Sequence, residues 1–181
     1  MVFLLLMGGH ESTAHLISGS VLVLLENPDQ RRWLQADWDR AGLAVEEFLR
    51  FHSPEQFSNL RYACRDMTFD NVTIRRNDQV MAMLVAANHD PVANEEPKAL
   101  RLDRQPNSHI AFGSGVHHCL GHHLARIEAK AALTAIFMRW PRLSLALPPS
   151  KARWRKRFGM RGVAELRVCH PPSGTEPPAV M

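Results

Sequence analysis

Cysteine is scarce in this 181-residue chain, with only Cys64, Cys119 and Cys169. An odd, sparse set describes no disulfide framework and points to a reducing compartment, the cytoplasm. A strong excess of one charge is also lacking. Lys and Arg number 22 against 18 Asp and Glu, which leaves +4, too little to argue for nucleic acid. No apolar run approaches the ~20 residues that span a bilayer. Residues 1–7 are apolar but follow no Lys or Arg and precede no clean small-residue cleavage site, so they do not read as an export signal. No internal repeat is visible. What is present, 45% hydrophobic and 22% charged residues, is ordinary for a folded domain and excludes a collagen or a mostly disordered chain.

Residues 1–26 read as a helix that is apolar nearly all round, and so buried. Asn27-Pro28-Asp29 is a helix start with Asn as N-cap and Pro at the first position, and the helix it opens reaches about Ala36. Another helix covers 44–51 and is stopped by Ser53-Pro54. Between 57 and 84 short alternating runs predict a small sheet region. Residues 88–108 form a long, proline-bearing meander, and loops of that length are usually functional or disordered. A glycine-rich turn at 110–115 precedes an amphipathic helix over 124–140, and strand-like runs follow at 143–147 and 163–168. Residues 169–181 read as a disordered Pro-rich tail.

The most informative segment is Phe112-Gly113-Ser114-Gly115-Val116-His117-His118-Cys119-Leu120-Gly121. One cysteine ends a glycine-bracketed loop directly before a long helix. The free N–H groups and partial positive charge of a helix N-terminus favour a thiolate. Gly113, Gly115 and Gly121 let the backbone approach a flat group or aim N–H groups at the sulfur. A thiolate so held suits an iron axial position. Rival readings stay open: a small buried hydrophobe, a Cys-His nucleophile with no orienting partner in view, or zinc. For zinc, His118 and His122, and Cys119 and His123, stand four apart on one expected helix face, but no second pair of ligands is evident.

Glu47 and Arg50, at i and i+3, share a helix face. A solvated pair contributes under ~1 kcal/mol, but Phe48, Leu49 and Phe51 around it suggest a buried helix, where losing one partner costs about 3–5 kcal/mol. The third constellation is Gly8-Gly9-His10-Glu11-Ser12-Thr13. Two mid-helix glycines cost roughly 1 kcal/mol each, and an acid followed by two hydroxyls suits a proton relay; a polar helix start is the alternative.

Taken in order, these segments resemble the C-terminal part of a cytochrome P450, a haem-thiolate monooxygenase of the soluble bacterial type. The loop pattern Phe-Gly-x-Gly-x-His-x-Cys-x-Gly is met at Phe112, Gly113, Gly115, His117, Cys119 and Gly121, and Leu124-Ala125-Arg126 continues it. Glu47 and Arg50 match the family's Glu-x-x-Arg pair, and Arg104 the meander arginine that completes that network. The resemblance covers residues 1 to about 168. It implies a mainly α fold with small β-sheets, incomplete here, running from the family's I helix to the C-terminus, with a partial haem-thiolate domain at 1–168.

The resemblance also implies haem b (iron protoporphyrin IX) as cofactor. Cys119 would be the iron axial ligand, Phe112 and Gly113 would belong to the cofactor loop, and Arg61 and His117 would bind propionates. His109 is typical of bacterial members. Glu11 and Ser12 would deliver protons. The expected partners are a small organic substrate and a ferredoxin-type or other electron donor, met by Arg126 and Lys130; neither nucleic acid nor membrane is expected. Three departures stand out: Ser12 where Thr is usual, Ala99-Leu100 where Arg-Phe is usual, and Trp38 where a small residue or Pro often stands. Full members are more than twice as long, so the abrupt apolar start reads as the broken edge of a larger domain. Two other functions remain open: a truncated, non-catalytic fragment with weak or no haem binding, and a small His/Cys metal-binding module.

Overall fold

Helix α1 (Val2–Glu26) is the longest element of the computed structural model, which describes residues 2–171, with side chains from residue 8 onward. It is followed by α2 (Pro28–Gln35), a short 3₁₀ turn at Trp38–Arg40, and α3 (Ala41–His52). Four brief strands come next: β1 (Arg61–Tyr62), β2 (Met67–Phe69), β3 (Val72–Ile74) and β4 (Gln79–Val80). Helix α4 (Leu84–Asn88) opens the meander, and α5 (His122–Arg139) follows the glycine-rich loop. The chain finishes in β5 (Ser144–Leu145), β6 (Arg153–Trp154), β7 (Val163–Glu165) and β8 (Val168–Cys169). Among the described residues the strands form four two-stranded antiparallel pairs, β1 with β4, β2 with β3, β5 with β8, and β6 with β7.

The core lies where α1, α3 and α5 meet. Leu16, Val21 and Leu24 from α1 pack with Ala44, Val45, Phe48 and Leu49 from α3 and with Ala129, Leu133 and Phe137 from α5. The α5 trio recurs every four residues, one stripe of a 3.6-residue helix. Phe48 is fully enclosed, and truncating such a side chain costs about 3–5 kcal/mol. Two glycines are required by close approach. A Cβ on Gly19 would lie 2.0 Å from His52 Nε2, and one on Gly162 would lie 2.2 Å from His15 Nδ1.

Several local expectations change. Helix α1 is not buried all round, because Gly8, Gly9 and His10 are exposed. Asn27 does not cap α2: its Nδ2 donates back to the Val23 carbonyl at 2.8 Å. Helix α5 begins at His122, two residues before Leu124, and Leu124 and Ile127 are exposed rather than on a buried face. Ser53 ends α3 at φ 41, in the left-handed region, while its hydroxyl donates to the carbonyls of Leu49 and Arg50 at 3.1 and 3.0 Å. Cys169, placed in the expected tail, pairs with Ser144 in the last sheet; residues 172–181 lie outside the described residues.

The meander is ordered by side-chain amides. Asn88 and Asn94 are buried. Asn88 Oδ1 accepts from the Ile110 N–H at 2.8 Å, and Asn94 Nδ2 donates to the Ser108 carbonyl at 2.8 Å. These bonds set the chain's entry into the cysteine loop.

Candidate functional site: the cysteine loop and its supports

Glu47 gathers a buried network. Its carboxylate takes both Arg50 Nε and NH2 at 2.8 Å and Arg104 Nε at 3.2 Å. It also accepts from the Arg101 N–H at 2.9 Å and from Asn107 Nδ2 at 3.1 Å. Glu47, Arg50 and Arg104 are all buried, so two guanidiniums face one carboxylate. Six further hydrogen bonds run to main-chain carbonyls: Arg50 to Asn88, Pro97 and Ala99, and Arg104 to Glu95, Glu96 and Ala99. Carbonyl dipoles offset the surplus positive charge. Ala99 thus serves through its backbone, and Leu100 packs on the core.

Cys119 is exposed. Its N–H donates to the Phe112 carbonyl at 3.0 Å, which closes the loop on itself. Within it the Gly113 N–H reaches the Ile110 carbonyl at 2.8 Å, and the His118 N–H reaches the Gly115 carbonyl at 3.0 Å. Gly113 and Gly115 sit at φ 71 and 73 with nothing within 4 Å of a built Cβ, so conformation rather than crowding demands glycine there. Gly121 precedes α5, and a Cβ there would come to 4.0 Å from the Cys119 sulfur.

Next to Glu47, Glu46 holds a second network. Arg126 Nε and NH2 donate to its two oxygens at 2.6 and 2.8 Å, and His109 Nε2 lies 3.0 Å away. Burial pushes the Glu46 carboxyl up, but the hydrogen bonds from Arg126 and His109 prevail and bring it down to about 2. Arg126 also lies over the Phe112 ring, 4.6 Å from its centroid. Arg126 is therefore an internal tie rather than a free docking charge, while Lys130 stays exposed.

The residues present fit a haem. A solvent-reachable thiol is a soft donor suited to iron. Its loop neighbours Val116 and Leu120 are 98% and 67% exposed, an apolar margin beside the sulfur. Arg61, in β1, and His117 are exposed, and neither side chain has a hydrogen bond or ion pair among the described residues. Glu11 and Ser12 lie on α1. Ser12 Oγ donates to the Gly8 carbonyl at 2.9 Å. Glu11 is ion-paired with Arg157 and lies 3.7 Å from His15 Nε2, and the Arg157 hydrogen bond holds its carboxyl below the usual range.

The four-apart spacing expected for zinc is not realised, because His118 and Cys119 precede α5 rather than lying on it. The rings of His118, His122 and His123 do lie together, His118 edge-on to His122 at 4.5 Å and His123 tilted against His122 at 3.8 Å. Among the described residues no group of three or more His, Cys, Asp or Glu is arranged to hold a metal ion. The roles of Glu46 and the two meander asparagines were missed by sequence reading. The doublet Glu46-Glu47 was a signal, but nothing local names partners 63 and 80 residues away.

The family model described as cytochrome P450 matches residues 43–160. The chain is 45% identical over 165 residues to the biotin biosynthesis cytochrome P450 of Bacillus subtilis, covering 91% of this chain and 41% of that protein. Among solved structures, the polyketide synthase cytochrome P450 PksS of Bacillus subtilis superposes with a TM-score of 0.90 at 38% identity, over 93% of this chain and 43% of that one. P450BioI in complex with an acyl carrier protein ligated to hexadec-9Z-enoic acid gives 0.87 at 44% identity, again over 93% and 43%. The chain thus spans less than half the length of these relatives.

Proposed function

The chain belongs to the cytochrome P450 family, and on that premise we propose that it is the haem-holding part of a monooxygenase, with Cys119 as the iron ligand. The observation that carries this reading is the exposed Cys119 in a loop closed on the Phe112 carbonyl, with a buried network at Glu47 and a half-buried one at Glu46 supporting it. Bound haem would supply dioxygen activation and transfer of one oxygen atom to an organic substrate.

The chain's own residues have separable tasks. The Glu47–Arg50–Arg104 network fixes the meander, and so the entry to the loop. Gly113 and Gly115 give the loop its turn, and the Phe112 carbonyl fixes the Cys119 N–H. Arg61 and His117 bind the propionates. Ser12, with its proton committed to the Gly8 carbonyl, keeps an acceptor lone pair for a proton from water. Glu11 takes a proton from solvent and passes it on when it leaves the ion pair with Arg157. An electron donor of ferredoxin type approaches on the Cys119 side, where Lys130 is available to an acidic surface. The three free cysteines suit a cytoplasmic setting. No helix among the described residues is long and apolar enough to cross a membrane.

The test is a reduced carbon-monoxide difference spectrum of the haem-reconstituted chain. The parent protein is expected to show the band of thiolate ligation, and Cys119→Ala to lose it. An identical spectrum in Cys119→Ala, or stoichiometric zinc in place of haem, overturns the proposal.

A further inference from the structure

Glu46 and Glu47 are neighbours on α3 yet share no partner. Glu47 serves the meander; Glu46 reaches the cysteine loop. The donors and acceptors around Glu46 can be assigned from chemistry alone. Arginine only donates, so His122 Nδ1, 2.9 Å from Arg126 NH1, is an acceptor. The Ala111 N–H donates to His109 Nδ1 at 3.3 Å, so the His109 proton sits on Nε2 and is given to Glu46. The cluster therefore closes as one carboxylate, one guanidinium and two imidazole rings.

Its load falls on Phe112. The Arg126 guanidinium covers one side of that ring, and the rings of His109, His118 and His122 stand 6.4, 6.3 and 6.1 Å from it. The carbonyl of the same residue accepts the Cys119 N–H. We propose that Glu46 is a positioning residue for Cys119: through Arg126 and His109 it pins Phe112, and through the Phe112 carbonyl it sets where the cysteine N–H and sulfur lie. Its consequence at iron rests on the haem-thiolate reading; its consequence for the loop does not. Each partner of the Glu46–Arg126 pair is 30% exposed. An ordinary surface pair of that exposure would leave the loop indifferent to its loss.

Amide hydrogen exchange on the full chain, read by NMR at the Cys119 N–H, separates the two cases. In Glu46→Ala the Cys119 amide is expected to exchange about tenfold faster, the scale of one lost charge-assisted hydrogen bond in the local opening equilibrium. The core amide of Leu24 and the exposed-site control Glu128→Ala stay at the parent rate. Arg126→Lys keeps the charge but loses the fork, so it gives a smaller rise of the same sign and serves if Glu46→Ala does not fold. In the haem-loaded protein both variants are expected to lose part of the thiolate-type carbon-monoxide band. A parent-like Cys119 rate in the folded variants, or an equal rise at Leu24, overturns the proposal. If the parent chain takes up no haem, the haem reading falls while the exchange measurement still decides the role of Glu46.

Discussion

Replacing Glu47 with Gln keeps the side chain's shape and removes its charge, which isolates the electrostatic part of the buried network. In the parent, Arg50 is fully buried and Arg104 is 4% exposed, and both pair with the Glu47 carboxylate. Glutamine keeps one acceptor oxygen, so at most a few of the five donors to Glu47 keep their bonds. Breaking a buried pair costs about 3–5 kcal/mol. Two stranded guanidiniums push toward the upper end, while their six bonds to main-chain carbonyls pull back. A loss of about 4 kcal/mol is therefore expected, a large share of a stability of about 5–15 kcal/mol. In urea, at a slope of about 2 kcal/mol/M, the midpoint falls by roughly 2 M.

The double variant Glu47→Gln with Arg104→Met should be less destabilised than the sum of the two singles, because it removes one stranded charge. The surface pair Asp29–Arg32, whose side chains are 84% and 70% exposed, is the internal standard, and Asp29→Asn should move stability by under ~1 kcal/mol. A Glu47→Gln loss as small as that of Asp29→Asn would refute the reasoning.

His52 makes a pH prediction. Burial comes first, followed by the nearby Arg161 charge, and together they bring its pKa from 6.5 to about 4. The folded state refuses a proton that the unfolded chain accepts. Stability is therefore full above about pH 6.5 and falls by roughly 3 kcal/mol as the pH drops toward 4, with His15 shifted in the same direction, by burial and then by Arg155. His52→Gln should flatten urea midpoints compared at pH 7 and pH 5; an unchanged slope would clear His52. Gly19→Ala places a methyl 2.0 Å from His52 Nε2. Overpacking of about 1–3 kcal/mol should exceed the roughly 1 kcal/mol gain in helix propensity, so thermal unfolding should shift down; a rise would mean the His52 ring yields freely.

Legibility followed sequence distance. Glu47 and Arg50 lie three apart, and the glycine–cysteine loop spans ten consecutive residues; both were readable because a helix turn or a tight loop forces near neighbours together. The burial that turns Glu47–Arg50 from a surface pair into a strong constraint was only suggested, by Phe48, Leu49 and Phe51. Zinc-like spacing around Cys119 failed for a local reason: α5 starts at His122, so a four-residue interval across its boundary puts nothing on one face.

The sequence alone carried the resemblance to the family and the cysteine loop, because both are written in contiguous motifs, and its periodicity pointed to helices with short strands between them. Only the tertiary structure decided that Arg126 is tied to Glu46 rather than offered to a partner, that Glu11 turns to Arg157, and that Ala99 acts through its carbonyl. Arg126 meets Glu46, Arg157 meets Glu11 and Arg50 meets the Ala99 carbonyl across separations of 80, 146 and 49 residues, where no spacing rule operates. Packing of α1, α3 and α5 chooses which charges meet.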